Sequence, residues 1–99
     1  MLIPDNPIHP GEILLEEYLR PLGISQVELA AHIGVSVQRI NEIVRGKRGI
    51  TPETAGLISG ALGTSVELWL NAQMIYDAAK SRPVKKMKPM RARRTKAAS

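Results

Sequence analysis

The stretch QVELAAHIGVSVQRINEIV, residues 26–44, decides the fold. Ser25, just before it, stands three residues ahead of Glu28, the spacing of a capping box in which each side chain satisfies the other's orphan backbone N–H. Leu29, Ala30 and Ile33 then recur at helical spacing and supply a buried face. Gly34 ends this helix and can take the positive φ of a tight turn. Ser36 caps a second short helix almost at once, with Ile40 and Ile43 turned inward and Gly46 closing it. Ala30 is small where the two helices must cross closely, and Val35 and Ile40 close the pair. Two short helices at a fixed angle, joined by three residues, are the result.

With those positions buried, Val37, Gln38, Asn41, Glu42 and Arg45 face outward from the second helix of the pair. In a helix-turn-helix this face enters the major groove of DNA, led by its N-terminal residues. Gln38 and Asn41 suit base reading, because an amide donates and accepts together and so matches adenine N6 and N7. Val37 suits a thymine methyl, and Glu42 can accept from cytosine N4 or repel wrong approaches. Gln26 would turn its backbone N–H and side chain toward a phosphate, and Arg39, Arg45, Lys47 and Arg48 would neutralise phosphates beside the groove. The alternative is an ordinary helical hairpin with a solvated polar face. The agreement of five buried positions, two caps and an adjacent basic loop argues against it.

Outward from this pair, three more helices are expected and no strand, giving an all-α chain of five helices. Proline-rich residues 1–10 lead into a helix from about Gly11 to Leu22, with Leu15, Tyr18, Leu19 and Leu22 as its apolar stripe. Glu12, Glu16 and Glu17 suit the positive end of its dipole, and Pro21 and Gly23 stop it. Thr51-Pro52 opens a fourth helix to Leu62, a capping threonine followed by proline where its missing N–H costs nothing. Thr64-x-x-Glu67 reads as a second capping box starting a fifth helix that reaches about Lys80. The charge-free run LWLNAQMIY, residues 68–76, spreads apolar side chains over more than one face. One side covers the domain's own core, while Leu68, Trp69, Ala72, Met74, Ile75 and Tyr76 are candidates to meet a second copy. A central core helix without a dimer is the other reading.

The formal charge of +5 divides unevenly: residues 81–99 carry +8 and no acid, and residues 1–80 carry −3. Arg39, Arg45, Lys47 and Arg48 fall within ten residues of one another. An acidic body with one basic patch and a basic tail points to a polyanionic partner at those two places. The tail, with two prolines and no apolar period, is expected to be disordered; it either adds non-specific DNA affinity or is simply solvated. Residues 1–80 form the expected DNA-binding and dimerisation domain. The chain has no cysteine, no secretory signal pattern at its start, and no uncharged run long enough for a bilayer, so a cytoplasmic location is expected.

Histidines occur only at His9 and His32, and neither shares a ligand spacing with a carboxylate. Gly46 and Gly49 shape a turn and do not form a phosphate-binding loop. No catalytic residue, metal site or cofactor is expected. His9 is read as an anchor for the first helix.

Residues 9–80 resemble the HigA (VapI-like) antitoxins, a branch of the lambda-repressor-like, Xre-type helix-turn-helix proteins. The most specific segments are HPGEIL (9–14), RINEIVRGKRGIT (39–51) and LGTSVELWLNAQ (62–73). The resemblance implies a bacterial type II antitoxin that dimerises through its last helix, binds a palindromic operator at its own promoter and neutralises a HigB-like, RelE-type mRNA-cleaving ribonuclease. It places DNA reading on Ser36, Val37, Gln38 and Asn41. A stand-alone Xre-type repressor without a toxin is the alternative; a chain that only binds the toxin would have lost the outward face of the third helix, and Gln38 and Asn41 argue against it. The acidic start of the first helix would suit a basic ribonuclease surface, or is simply solvated and matched to the dipole. Residues 81–99 depart from the family pattern.

Overall fold

The structure is a computed structural model that describes residues 4–81 and 86–91. Among these residues five helices follow one another: α1 at residues 10–22, α2 at Gln26–Ile33, α3 at Val37–Val44, α4 at Pro52–Leu62 and α5 at Val66–Lys80. No strand occurs among the described residues. α2 packs on α3, α4 on α5, and α1 braces the arrangement by touching both α3 and α5. Leu14, Leu19, Leu29, Ile40, Ile43, Ile50, Ile58 and Trp69 make the core. Residues 86–91 are exposed and carry no regular structure, while the rest of the expected tail, 82–85 and 92–99, lies outside the described residues.

α1 departs from the expected stripe. Between the α-helical turns Pro10–Ile13 and Arg20–Leu22, the segment Leu14–Leu19 is π-helical, and the Arg20 N–H donates to the carbonyl of Leu15. A regular ladder would require a donor from Pro21 and would drive its ring into the carbonyl four residues back; widening the turn just before it avoids both. The wide turn puts residues five apart on one face. Leu14 and Leu19 are therefore the fully buried pair, and Leu22, expected in the stripe, is 57% exposed.

The caps follow from local chemistry. Ser25 Oγ accepts from the Glu28 N–H at 3.0 Å and Glu28 Oε1 accepts from the Ser25 N–H at 2.8 Å, completing the box. That bond holds the Glu28 pKa below the ordinary carboxylate value. Ser36 and Thr51 cap α3 and α4. The start of α5 is shifted by one residue from the expected box. Ser65 is the cap, accepting from the Leu68 N–H at 3.1 Å, because the Thr64 hydroxyl accepts from the Trp69 indole N–H at 2.7 Å.

That bond also corrects the expectation for Trp69. Its side chain is fully buried inside this chain's own core, with Tyr18 tilted against it at 5.4 Å, so it offers no surface to a second copy. A buried indole needs a partner for its N–H, and Thr64 supplies one.

Candidate nucleic-acid interface

α2 and α3 form the expected pair. Gly34 sits at φ 78°, and the N–H groups of Gly34 and Val35 both donate to the Ala30 carbonyl, at 2.9 and 3.0 Å. Ser36 Oγ then accepts from the Arg39 N–H at 3.1 Å and α3 begins. Ile40 and Ile43 are buried to the last contact, which fixes the roll of α3 about its axis. The roll leaves Ser36, Val37, Gln38 and Arg45 exposed and Asn41 and Glu42 half-buried at the edge.

Two hydrogen-bonded sets organise this outward face. Asn41 Nδ2 donates to Gln26 Oε1 at 3.1 Å, tying the middle of α3 to the first turn of α2. That bond uses one of the two Asn41 amide hydrogens and leaves its Oδ1, and both amide hydrogens of Gln26, outside the pair. Glu42 forms the centre of the second set. Its Oε1 accepts from Arg48 Nε at 2.9 Å, and its Oε2 accepts a longer bond from Gln38 Nε2 at 3.4 Å. A carboxylate so engaged holds two neighbouring side chains in place and is not poised to accept from a base.

The basic loop after α3 is built with equal care. The Glu42 carbonyl accepts from both Lys47 and Arg48 N–H groups, at 2.8 and 3.2 Å. Lys47, Arg48 and Arg45 side chains are left exposed beside α3. Arg39 differs: its Nε is buried without a hydrogen-bond partner, so its stem is packed against the fold and is not extended beside the others.

Gln73, which sequence reasoning missed, holds this loop to the body. Gln73 Oε1 accepts from the Ile50 N–H at 2.7 Å, and Gln73 Nε2 donates to Asp77 Oδ1 at 2.9 Å. Gly11 lies so close to the end of α3 that a methyl group there would overlap the Ile43 carbonyl. His9 is the N-cap of α1, its Nδ1 accepting from the Gly11 N–H at 2.9 Å, and its ring stands edge-on to Tyr76 at 4.7 Å. Burial lowers the His9 pKa below its ordinary value, with nearby Asp77 pulling the other way. The HPG triplet was legible as a helix start, but its contacts with α3 and α5 were not.

The residues expected to meet a second copy fall on different sides of α5. Leu68, Ala72 and Ile75 line a groove shared with Pro4, Asn6, Ile8 and Ile13. Met74, 50% exposed, lies with Leu70 and Ala78 on another side, next to Ile50 and Pro52 of the basic loop's far end. Tyr76 is half-buried against His9. Among the described residues no cluster of histidine, cysteine and acidic side chains could hold a metal, and no helix is long and apolar enough to cross a membrane.

A family model described as helix-turn-helix matches residues 15–69, more than half of the chain. The chain belongs to the helix-turn-helix family, in its HigA and VapI-like branch. This helix-turn-helix protein is 54% identical over 70 residues to Virulence-associated protein I of Dichelobacter nodosus, an alignment covering 71% of this chain and 65% of that protein's length. Its fold matches antitoxin HigA of Pseudomonas aeruginosa, solved with the higBA promoter, with a TM-score of 0.75 and 41% identity, covering 77% of this chain and 83% of the other. It also matches PA4674 of Pseudomonas aeruginosa, solved in complex with its operator DNA, with a TM-score of 0.80 and 35% identity, covering 86% of this chain and 98% of that one.

Proposed function

We propose that this chain is the antitoxin of a type II toxin–antitoxin pair: a homodimer that binds a palindromic operator at its own promoter and neutralises an mRNA-cleaving, HigB-like ribonuclease. The observation that carries the reading is the outward face of α3, where Gln38 and Asn41 lie side by side with the basic loop and Asn41 is braced by Gln26. Its likeness to HigA and PA4674, both solved with DNA, supports DNA as the partner.

In the complex, α3 lies in the major groove. Asn41, held by Gln26, presents a donor and an acceptor to one base, and Gln38 presents the same pair a turn earlier. Ser36 and Val37 reach the groove floor at the N-terminal end of the helix. Gln26 turns its amide hydrogens to a phosphate, and Arg45, Lys47 and Arg48 neutralise phosphates alongside. Glu42 keeps Arg48 and Gln38 oriented until DNA arrives.

The second copy docks across Ile50, Pro52, Leu70, Met74 and Ala78. This side of α5 adjoins the basic loop, so a two-fold axis there brings both loops to the middle of the site. Each reading helix then lies outward of its loop, on one side of the duplex. Residues 1–80 serve as the binding and dimerisation domain and residues 81–99 as an electrostatic extension, with the protein acting in the bacterial cytoplasm and on the nucleoid.

Nuclease footprinting on the DNA upstream of its own coding sequence tests this. Two protected half-sites about 34 Å apart, one duplex turn, are expected. A single short footprint, or uniform protection along the fragment, would contradict the dimeric operator reading.

A further inference from the structure

The basic loop has two halves, and different elements hold them. Lys47 and Arg48 stand between Gly46 and Gly49, where the backbone has the most freedom to lose. Up to Arg48 the loop is tied to α3, through the N–H groups that the Glu42 carbonyl accepts. Beyond it, the N–H of buried Ile50 donates across to Gln73 of α5, at 2.7 Å. Without that acceptor a buried donor would be left bare, which costs more than losing an exposed hydrogen bond, and the loop would shift to find water.

Gln73 is oriented for this acceptance. Asp77 Oδ1, one turn further along α5, takes a hydrogen from Gln73 Nε2 at 2.9 Å and so turns the other end of the amide, Oε1, to Ile50. The amide lies against Gly49, where a methyl group would come within 3.1 to 3.2 Å of three of its atoms. Gly49 is not among the glycines with positive φ, so the nearness of this amide, and not a backbone angle, favours glycine there. His9, Tyr76 and Asp77 share the cleft between the loop and α5, and no residue of α3 lines it.

The two side chains that hold the loop respond differently to DNA. Glu42 pairs with Arg48 at 2.9 Å, and a phosphate arriving at Arg48 competes with it directly. Gln73 is uncharged and bonded to a backbone N–H, so a phosphate neither repels it nor takes its partner. We propose, on the reading of α3 and its loop as the DNA interface, that Gln73 is a positioning residue for DNA binding. Acting through Ile50 and without touching DNA, it holds the far half of the loop so that Lys47 and Arg48 meet phosphates together. Fixing the two cations in advance removes an ordering cost from binding. Contacts to phosphate carry no sequence information, so the effect falls on operator and random duplex alike.

The test uses the full chain, with the DNA upstream of its own coding sequence and a random duplex of equal length as probes. Titrations are made at a temperature where thermal unfolding shows every variant folded. Gln73→Met keeps the side-chain length and the net charge but removes the acceptor. It is expected to weaken binding to both duplexes by one factor, about five- to tenfold at about 0.1 M salt, and to make the log-log salt slope shallower by about 0.9. The preference between duplexes, and the mass of the chain by light scattering, should stay as in wild type. Gly49→Ala, on an exposed site, presses a methyl against the amide and should weaken both duplexes in the same sense without lowering the melting temperature. Gln73→Glu combined with Asp77→Asn exchanges donor and acceptor at constant charge, and should return affinity to within about twofold of wild type.

Unchanged affinity and slope in Gln73→Met and Gly49→Ala, even with a lower melting temperature, would make Gln73 a structural residue only and overturn the proposal. Binding by the exchanged pair as weak as by Gln73→Met would overturn it too. So would a lower mass for Gln73→Met than for wild type, which would place Gln73 in a contact between copies. Lys47→Ala without effect on random duplex would remove the loop from the DNA interface, and the proposal with it. With Lys47→Ala effective, failure of Gln73→Met strikes the role of Gln73 alone.

Discussion

Asn41 in α3 donates a 3.1 Å hydrogen bond to Gln26, the first residue of α2, so the residue proposed to read a base is held by the residue proposed to touch a phosphate. A free asparagine amide samples several rotamers. Binding it in advance removes that freedom before DNA arrives, and links the position of the backbone contact to the orientation of the base contact.

Asn41→Ala or Gln38→Ala should therefore reduce discrimination between operator and random duplex by about 1–3 kcal/mol, with binding to random duplex nearly kept. Gln26→Ala should cost operator affinity in the same range, and combining it with Asn41→Ala should cost less than the two losses added. Titration of each variant onto both duplexes checks this; strict additivity would mean that the Gln26–Asn41 bond has no part in binding.

The bases of the loop act differently. Lys47→Ala should weaken binding to all DNA alike and make the log-log salt slope shallower by about 0.9. Glu42→Ala releases Arg48 from its 2.9 Å partner and removes a negative charge from the interface, so it should strengthen binding to random duplex more than to operator. Salt titrations of both variants on random duplex measure the two effects.

Gly11→Ala should destabilise the fold by about 1–3 kcal/mol, because the added methyl meets the backbone carbonyl of Ile43, which cannot rotate away. Chemical denaturation reads the change. An unchanged midpoint would mean that α1 and α3 can separate without loss.

The pH dependence follows from His9. Its folded-state pKa is depressed by burial, and its neutral Nδ1 accepts the Gly11 N–H. The unfolded chain therefore binds a proton more readily than the folded one. This contribution to stability is fully present above the unfolded value of about 6.5 and is lost as pH falls through the lower folded value. Thermal unfolding between pH 8 and pH 5 should show a falling midpoint, and His9→Asn, which keeps a capping oxygen without the titration, should flatten that part of the slope.

What the sequence made legible was local. Ser25 with Glu28, Ser36, and Thr51 with Pro52 mark helix starts by bonds to residues within three positions, and all of these bonds form. The alternation of Ile40 and Ile43 with Gln38 and Asn41 likewise oriented α3, because a short helix has only one apolar edge. The failures were tertiary. Thr64 has the spacing of a cap, but the Trp69 indole takes its hydroxyl and passes the cap to Ser65. Leu14 entered the core only because α1 widens to a π turn ahead of Pro21, a change that 3.6-residue spacing cannot anticipate. Glu42 reads as an outward acceptor until Arg48 comes round the loop to meet it, and Gln73 reaches Ile50 across 23 positions of sequence.

The most direct measurement is a gel titration of the full chain onto a labelled fragment of its own promoter, against random duplex of equal length at the same salt. Binding to the promoter at far lower concentration, with two chains per site, is the predicted result, and the preference should shrink with Asn41→Ala. Equal affinity for both duplexes would contradict the account, leaving charge alone, from the loop and the basic tail, as the source of binding.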